Sequence, residues 1–173
     1  MRRRTSGVPP PGTPADNFFN VGSGRSGSQR HTMTAMPSLS DLRQSQRALR
    51  FFLVEDSEVI RQNLTGTLEE MLGMQVVGWA ASETDAVAWL SRPHEGCDLM
   101  IIDIFLAHGT GLEVLRRARE AAPGTRLVVL SNYATPEMRR RCLALGADRV
   151  FDKSAELDEL IAYCETLSDT PRS

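Results

Sequence analysis

The sequence predicts an α/β fold in which one five-stranded parallel sheet is flanked by five helices. Three observations carry that prediction. Five short apolar runs alternate with five amphipathic stretches between residues 50 and 167, and such alternation implies parallel strands joined by right-handed crossovers. The runs Phe51-Phe52-Leu53-Val54, Leu99-Met100-Ile101-Ile102 and Leu127-Val128-Val129-Leu130 show no polar alternation, as expected of strands covered on both faces. Four of the runs end in residues that carry chemistry: Glu55-Asp56, Asp103, Ser131 and Lys153.

The first strand is read at 50–55. The first helix, 57–72, sets Ile60, Leu64, Leu68, Met71 and Leu72 at helical spacing. The second strand is Gln75-Val76-Val77-Gly78-Trp79-Ala80. Ser82 caps the second helix, with Asp85 at N3 in place of the usual Glu. That helix carries Ala86, Val87, Trp89 and Leu90. The third strand is 98–103. The third helix, 111–121, presents Leu112, Leu115 and Ala118 and stops at Pro123-Gly124. The fourth strand is 126–131. The fourth helix has Thr135 as cap and Pro136 at its first position, and ends at Gly146. The fifth strand is 148–152. The fifth helix is expected to take Ser154 as its cap, with Glu156 and Asp158 in its first turn, and to bury Leu157, Leu160, Ile161, Cys164 and Leu167.

The length suits one domain rather than two. Residues 1–48 are expected to form a disordered tail rich in Pro, Gly, Ser and Arg, because such a composition cannot offset the entropy of ordering. The folded domain is placed at 49–168, and 169–173 is expected to be a disordered C-terminus. Phe18-Phe19 is read as an incidental apolar pair, and Met33 or Met36 as an alternative translation start. Residues 1–49 carry seven arginines and two aspartates, so the body beyond them is acidic. An acidic body argues against general nucleic-acid binding. Cys97, Cys142 and Cys164 match no zinc or redox spacing and are read as reduced thiols, the last two on apolar helix faces. No apolar run is long enough to span a membrane, and the arginine-rich start lacks the apolar segment of a secretory signal. A cytoplasmic protein without a membrane partner is expected.

Lys153 is the only lysine in 173 residues; the other 19 basic residues are arginine. A lone lysine by itself reads as a solvated charge, Asp56 as a helix cap and Asp103 as a loop residue. Delivered together to one rim, the carboxylates would repel unless a cation neutralised them. Hard oxygen donors suit Mg²⁺. Lys153 would then face phosphoryl oxygens as a point charge, and Ser131 would donate one hydrogen bond. Flanked by metal and ammonium, Asp103 would stay ionised and could act as a nucleophile. Lys153 is expected to sit among these carboxylates in a pairing largely exposed to water.

From about residue 50 to 167 the chain resembles the receiver domain of two-component response regulators. The resemblance rests on Glu55-Asp56, Asp103, Ser131 and Lys153, spaced by 47, 28 and 22 residues from Asp56 onward, and on Gly111, eight residues after Asp103. It implies a flavodoxin-like (βα)5 fold and a signalling module rather than an enzyme. It implies phosphorylation of Asp103 by a histidine kinase or histidine phosphotransfer protein. It also implies direct Mg²⁺ ligation by Asp56, Asp103 and the backbone carbonyl of Phe105, with Glu55 acting through a metal-bound water. Ser131 and Lys153 would bind the phosphoryl group, and a surface of the fourth helix, fifth strand and fifth helix would respond.

Four positions depart from the family pattern. Ser154 replaces the usual proline after the lysine. Val150 occupies the place of the aromatic switch, and Phe151 should face the other side of the sheet. Glu55 replaces the commoner aspartate. Ala107 stands where proline is usual, four residues after Asp103. Arg139-Arg140-Arg141 is read as a solvated helix face, with contact to an acidic partner as the alternative. His108 is read as an exposed loop residue, and His31 and His94 have no recognisable context.

The expected function is therefore a stand-alone phosphoacceptor receiver that signals through an unknown downstream protein, with no DNA-binding domain. One alternative is a receiver-like interaction module that is never phosphorylated. Another is an aspartyl-phosphate phosphatase of the haloacid-dehalogenase type, disfavoured because Asp103-Ile104-Phe105 lacks that family's second aspartate.

Overall fold

In the computed structural model, residues 47–93 and 96–168 are described. The expected tail except for residues 47–48, Phe18-Phe19, Met33, Met36, His31, His94 and residues 169–173 lie outside them. The strands are β1 (Arg50–Val54), β2 (Gln75–Ala80), β3 (Leu99–Ile102), β4 (Arg126–Ser131) and β5 (Arg149–Asp152). The helices are α1 (Glu58–Leu72), α2 (Glu83–Leu90), α3 (Gly111–Ala121), α4 (Pro136–Ala144) and α5 (Leu157–Ser168). All strand pairs are parallel, in the order β2-β1-β3-β4-β5. The parallel sheet is the one that the alternation of elements predicts, and the arrangement is the flavodoxin-like (βα)5 one that the resemblance implies.

The strand order reverses between β1 and β3. In such sheets the crevice at the reversal, outside the carboxyl ends, is where ligands are received. Three backbone hydrogen bonds carry the ladders one residue past their strands at that end. Glu55 N donates to Ala80 O (2.9 Å), Asp103 N to Val54 O (2.9 Å) and Lys153 N to Ser131 O (3.1 Å). The residues that follow the apolar runs therefore inherit the rigidity of the sheet.

Strand alternation divides the core in two. Phe52, Val54, Met100, Ile102, Leu127, Val129 and Val150 face α2, α3 and α4. Phe51, Leu53, Leu99, Ile101, Val128, Leu130 and Phe151 face α1 and α5. Phe151 thus points away from the side that holds Val150, as its register requires. Ser57, Ser82, Thr110 and Thr135 cap α1 to α4 through their side chains.

Three expectations need correction. Ser154 does not cap α5. Asp152 Oδ1 accepts from the amides of both Ser154 (2.8 Å) and Ala155 (3.2 Å), and Asp152 O accepts from Glu156 N. A short carboxylate beside a turn competes with the helix for these amides, so the helix starts at Leu157. Leu157 itself is 39% exposed, in the first turn of α5 before the helix settles on the sheet. Met71 is 64% exposed, because the apolar arc of α1 is wider than the face that the core covers.

Cys97, Cys142 and Cys164 are all buried with free thiols. Burial pushes the Cys97 and Cys164 thiols up to about 12. Above about pH 9 the unfolded chain has lost these protons while the folded chain keeps them, so stability falls as pH rises toward the folded values. Cys164→Ala is expected to flatten that decline by up to about 1.4 kcal/mol per pH unit. Urea unfolding at several pH values in this window measures the slope; an unchanged slope would show that the thiol ionises in the folded protein.

Candidate functional site

The Lys153 ammonium joins the ends of β1, β3 and β5. Its Nζ donates to Glu55 Oε2 at 2.5 Å and to Asp103 Oδ2 at 2.7 Å. The three side chains are 8%, 3% and 7% exposed. The pairing is therefore buried, which corrects the expectation that water screens it. β5 lies two strands from β3, and the long lysine stem crosses the end of β4 to reach the carboxylates. Burial alone would lower the Lys153 ammonium, but the hydrogen bonds to Asp103 and Glu55 outweigh it and hold it above its ordinary value. Burial pushes the Glu55 carboxyl up, and Lys153 offsets this only in part.

Glu55 Oε1 also accepts from Ser57 N (3.1 Å), so both of its oxygens are engaged. Asp103 Oδ1 accepts from Phe105 N (3.2 Å). Asp56, half-buried just past β1, accepts from Ala107 N through Oδ2 (2.8 Å). Glu55, Asp56 and Asp103 offer oxygens that all lie within 4.8 Å of one another. Three carboxylates share one ammonium, so the cluster is short of positive charge. All donors are hard oxygens, which suits a small divalent cation.

Ser131 is fully buried at the end of β4, where its Oγ accepts from Tyr133 N (3.4 Å). Phe105 is exposed, and its ring meets that of Tyr133 edge to face with centroids 5.1 Å apart. The two rings and Asn132 close one side of a cleft of about 230 Å³, lined also by Glu55, Asp56, Asp103 and Lys153. Glu55, Asp56, Asp103, Phe105 and Lys153, singled out from the sequence, thus line one cleft, while Ser131 lies buried at the neighbouring strand end and does not line it. Tyr133 was not among them; its place two residues past Ser131 was the available signal.

Arg139 was read with its neighbours as a solvated face. Arg140 and Arg141 are exposed, but Arg139 turns inward. Its guanidinium donates to Ala134 O (2.9 Å), Val150 O (2.6 Å) and Glu156 Oε2 (2.6 Å). The same Glu156 oxygen accepts from Asp152 N (2.7 Å). The Arg139 guanidinium holds the Glu156 carboxyl below its ordinary range. α4 is in this way tied to the β5–α5 loop that carries Lys153. His108 is exposed, as read, and its carbonyl accepts from Glu83 N.

The family model described as the response regulator receiver domain matches residues 51–165. The DNA-binding transcriptional activator DevR/DosR of Mycobacterium tuberculosis is 32% identical over 101 residues, covering 57% of this chain and 45% of that protein. The response regulator UvrY of Escherichia coli is 25% identical over 114 residues, covering 66% of this chain and 51% of that protein. Among solved structures, the CheY-like receiver domain protein of Methanospirillum hungatei aligns with a TM-score of 0.62 at 25% identity, covering 71% of this chain and 95% of that one.

This chain spans about half the length of the curated relatives it matches. The expectation of a partner set with no DNA-binding domain is therefore corrected. A relative of which 45% is matched is itself described as a DNA-binding transcriptional activator. Among the described residues, no helix is long and apolar enough to cross a membrane.

Two substitutions test the architecture of the site. Lys153→Met leaves buried carboxylates without their ammonium and is expected to cost about 3 kcal/mol at neutral pH. In that variant burial still raises the Glu55 carboxyl, and no ammonium offsets it. The folded state then binds protons that the unfolded chain has released, and stability falls as pH rises. The loss should shrink toward about pH 4; an equal loss at both pH values in denaturant unfolding would mean that the stem, not the charge, matters. At Gly111 a Cβ would lie 1.9 Å from Asp103 O, with Ile104 Cα at 2.8 Å. Gly111→Ala is therefore expected to destabilise by about 3 kcal/mol and to shift the Asp103 backbone resonances; unchanged resonances would show that α3 yields instead.

Proposed function

The chain belongs to the response regulator receiver domain family, and on that premise we propose that it is a phosphorylation switch with Asp103 as its acceptor. The observation that carries this reading is the buried ammonium of the only lysine, held against Asp103 at the strand-order reversal. Catalysis in such a site is chiefly positioning and charge neutralisation. The donor is a phosphohistidine on a histidine kinase or a histidine phosphotransfer protein, and the setting is cytoplasmic. An Asp103 carboxylate oxygen attacks phosphorus in line. The new O–P bond forms as the P–N bond breaks, and the imidazole nitrogen keeps the electron pair.

Asp56, Asp103 and the Phe105 carbonyl would hold Mg²⁺, with Glu55 one water removed. Both oxygens of Glu55 are already engaged by Lys153 and Ser57, which agrees with an indirect role. Mg²⁺ when bound supplies positive charge against the phosphoryl oxygens. Ser131 donates its hydroxyl to one of those oxygens, and the Phe105 and Tyr133 rings limit the approach of water.

Phosphorylation adds a group of about −2 charge beside Lys153. The ammonium follows the new oxygens, and the strain falls on the β5–α5 turn one residue away. Asp152, Glu156 and Arg139 lead from that turn to α4 by hydrogen bonds. Val150 gives no aromatic rotamer to flip, so this polar path carries the change to the α4–β5–α5 surface.

Incubation with acetyl phosphate and Mg²⁺ is expected to add one phosphoryl group by intact-mass measurement, and Asp103→Asn should abolish it. Chelation of Mg²⁺ should suppress the adduct in the unsubstituted chain. An adduct that survives in Asp103→Asn would move the chemistry elsewhere. No adduct in any condition would favour the unphosphorylated interaction module.

A further inference from the structure

We propose that Ala107 is a positioning residue for the cation site: its backbone amide, donating to Asp56, presets the Phe105 carbonyl beside the carboxylates. The inference rests on the cation-site reading given above and adds to it a residue whose side chain does no chemistry. Ala107 N lies 2.8 Å from Asp56 Oδ2, a bond between residues 51 apart in the chain. Two residues earlier, Phe105 N donates to Asp103 Oδ1 (3.2 Å). The stretch that contains the Phe105 carbonyl is thus gripped on both sides, by the two carboxylates proposed as direct ligands.

The rest of the β3–α3 loop is held differently. Thr110 N donates to Glu83 Oε2 (2.8 Å), and Glu83 N donates to His108 O (3.1 Å). Ala107 is exposed, so little packing fixes it, and the bond to Asp56 sets its place. An amide donating to a carboxylate is a charge-assisted bond, stronger than a neutral one. It occupies one oxygen of Asp56 and leaves the other for a cation. A loop already set in its binding geometry loses less freedom when the ligand arrives. Proline at this position would have no amide hydrogen and would restrain the loop by its fixed φ. Here a hydrogen bond to a ligand residue takes over that restraint.

The test replaces the amide N–H by an ester oxygen and leaves the side chain unchanged. Lactic acid is installed at position 107 of the full chain by nonsense suppression, so that an ester replaces the 106–107 peptide bond. Mg²⁺ binding is measured by isothermal titration calorimetry without any phosphodonor. The ester chain is expected to bind about tenfold more weakly than the natural chain. Ala107→Ser keeps the amide and should stay within about twofold of it. Amide hydrogen exchange in the metal-free protein supplies a second readout. The Ala107 amide should be protected despite the exposure of the residue, and Asp56→Ala should remove that protection. If the ester chain does not fold, the exchange comparison decides alone. Equal Mg²⁺ affinity in the ester and natural chains, or an unprotected Ala107 amide, overturns this inference and leaves the cation site standing. A natural chain that does not bind Mg²⁺ overturns the cation site and this inference with it.

Discussion

One ammonium shared by two buried carboxylates governs the geometry of this protein's rim. Lys153 lies 98 residues from Glu55 and 50 from Asp103 in sequence. The three meet only because a parallel sheet aligns the carboxyl ends of β1, β3 and β5. Stability alone gives little reason for such a cluster, since apolar residues of similar volume usually serve a core as well or better. Its charge is also incomplete, with Asp56 adding a third carboxylate to a set that has one ammonium. A site that folds while short of positive charge suits a cation.

The loop after β3 depends on the same carboxylates. Asp103 and Asp56 accept hydrogen bonds from its amides, and α3 approaches so closely that Gly111 has no space for a methyl group. The residues proposed to bind ligand are thus also the residues that shape the backbone around it. On the other side of the sheet's end, Asp152 and Glu156 play a comparable part for the turn that carries Lys153. The proposed binding and the loop structure draw on one set of oxygens, so a change in one bears on the other.

Much of this was legible in the sequence because periodicity and turn chemistry are local. β2, β4 and α3 begin and end where the apolar runs and their flanking caps indicate. The spacing from Asp56 to Lys153 was legible because each residue ends a strand, and strand ends in a parallel sheet share one edge. Depth was not. A lysine at the end of a strand reads the same whether water or carboxylates surround it, and only the packing of α1 and the neighbouring loops decides. The start of α5 was illegible for a local reason: Asp152 holds the amides of Ser154 and Ala155 through its side chain and that of Glu156 through its carbonyl, a turn in which Ser154 does not cap the helix. Arg139 was hidden in a run of three arginines, where composition suggests solvent and only the helix phase turns one residue inward. Ala107 stood out only as a missing proline; its hydrogen bond to Asp56 comes from the backbone, which the residue type does not reveal.

The solitary, buried lysine also changes how the protein can be cut. A protease that cleaves only after lysine has one target bond in these 173 residues, between Lys153 and Ser154. In the folded state that side chain is fastened to Glu55 and Asp103 and cannot enter a protease pocket. Each cleavage event therefore reports that the cluster has come apart at that moment. The rate of appearance of two fragments becomes a direct clock for the breathing of the Lys153–Glu55–Asp103 cluster, free of background from any other bond in the chain.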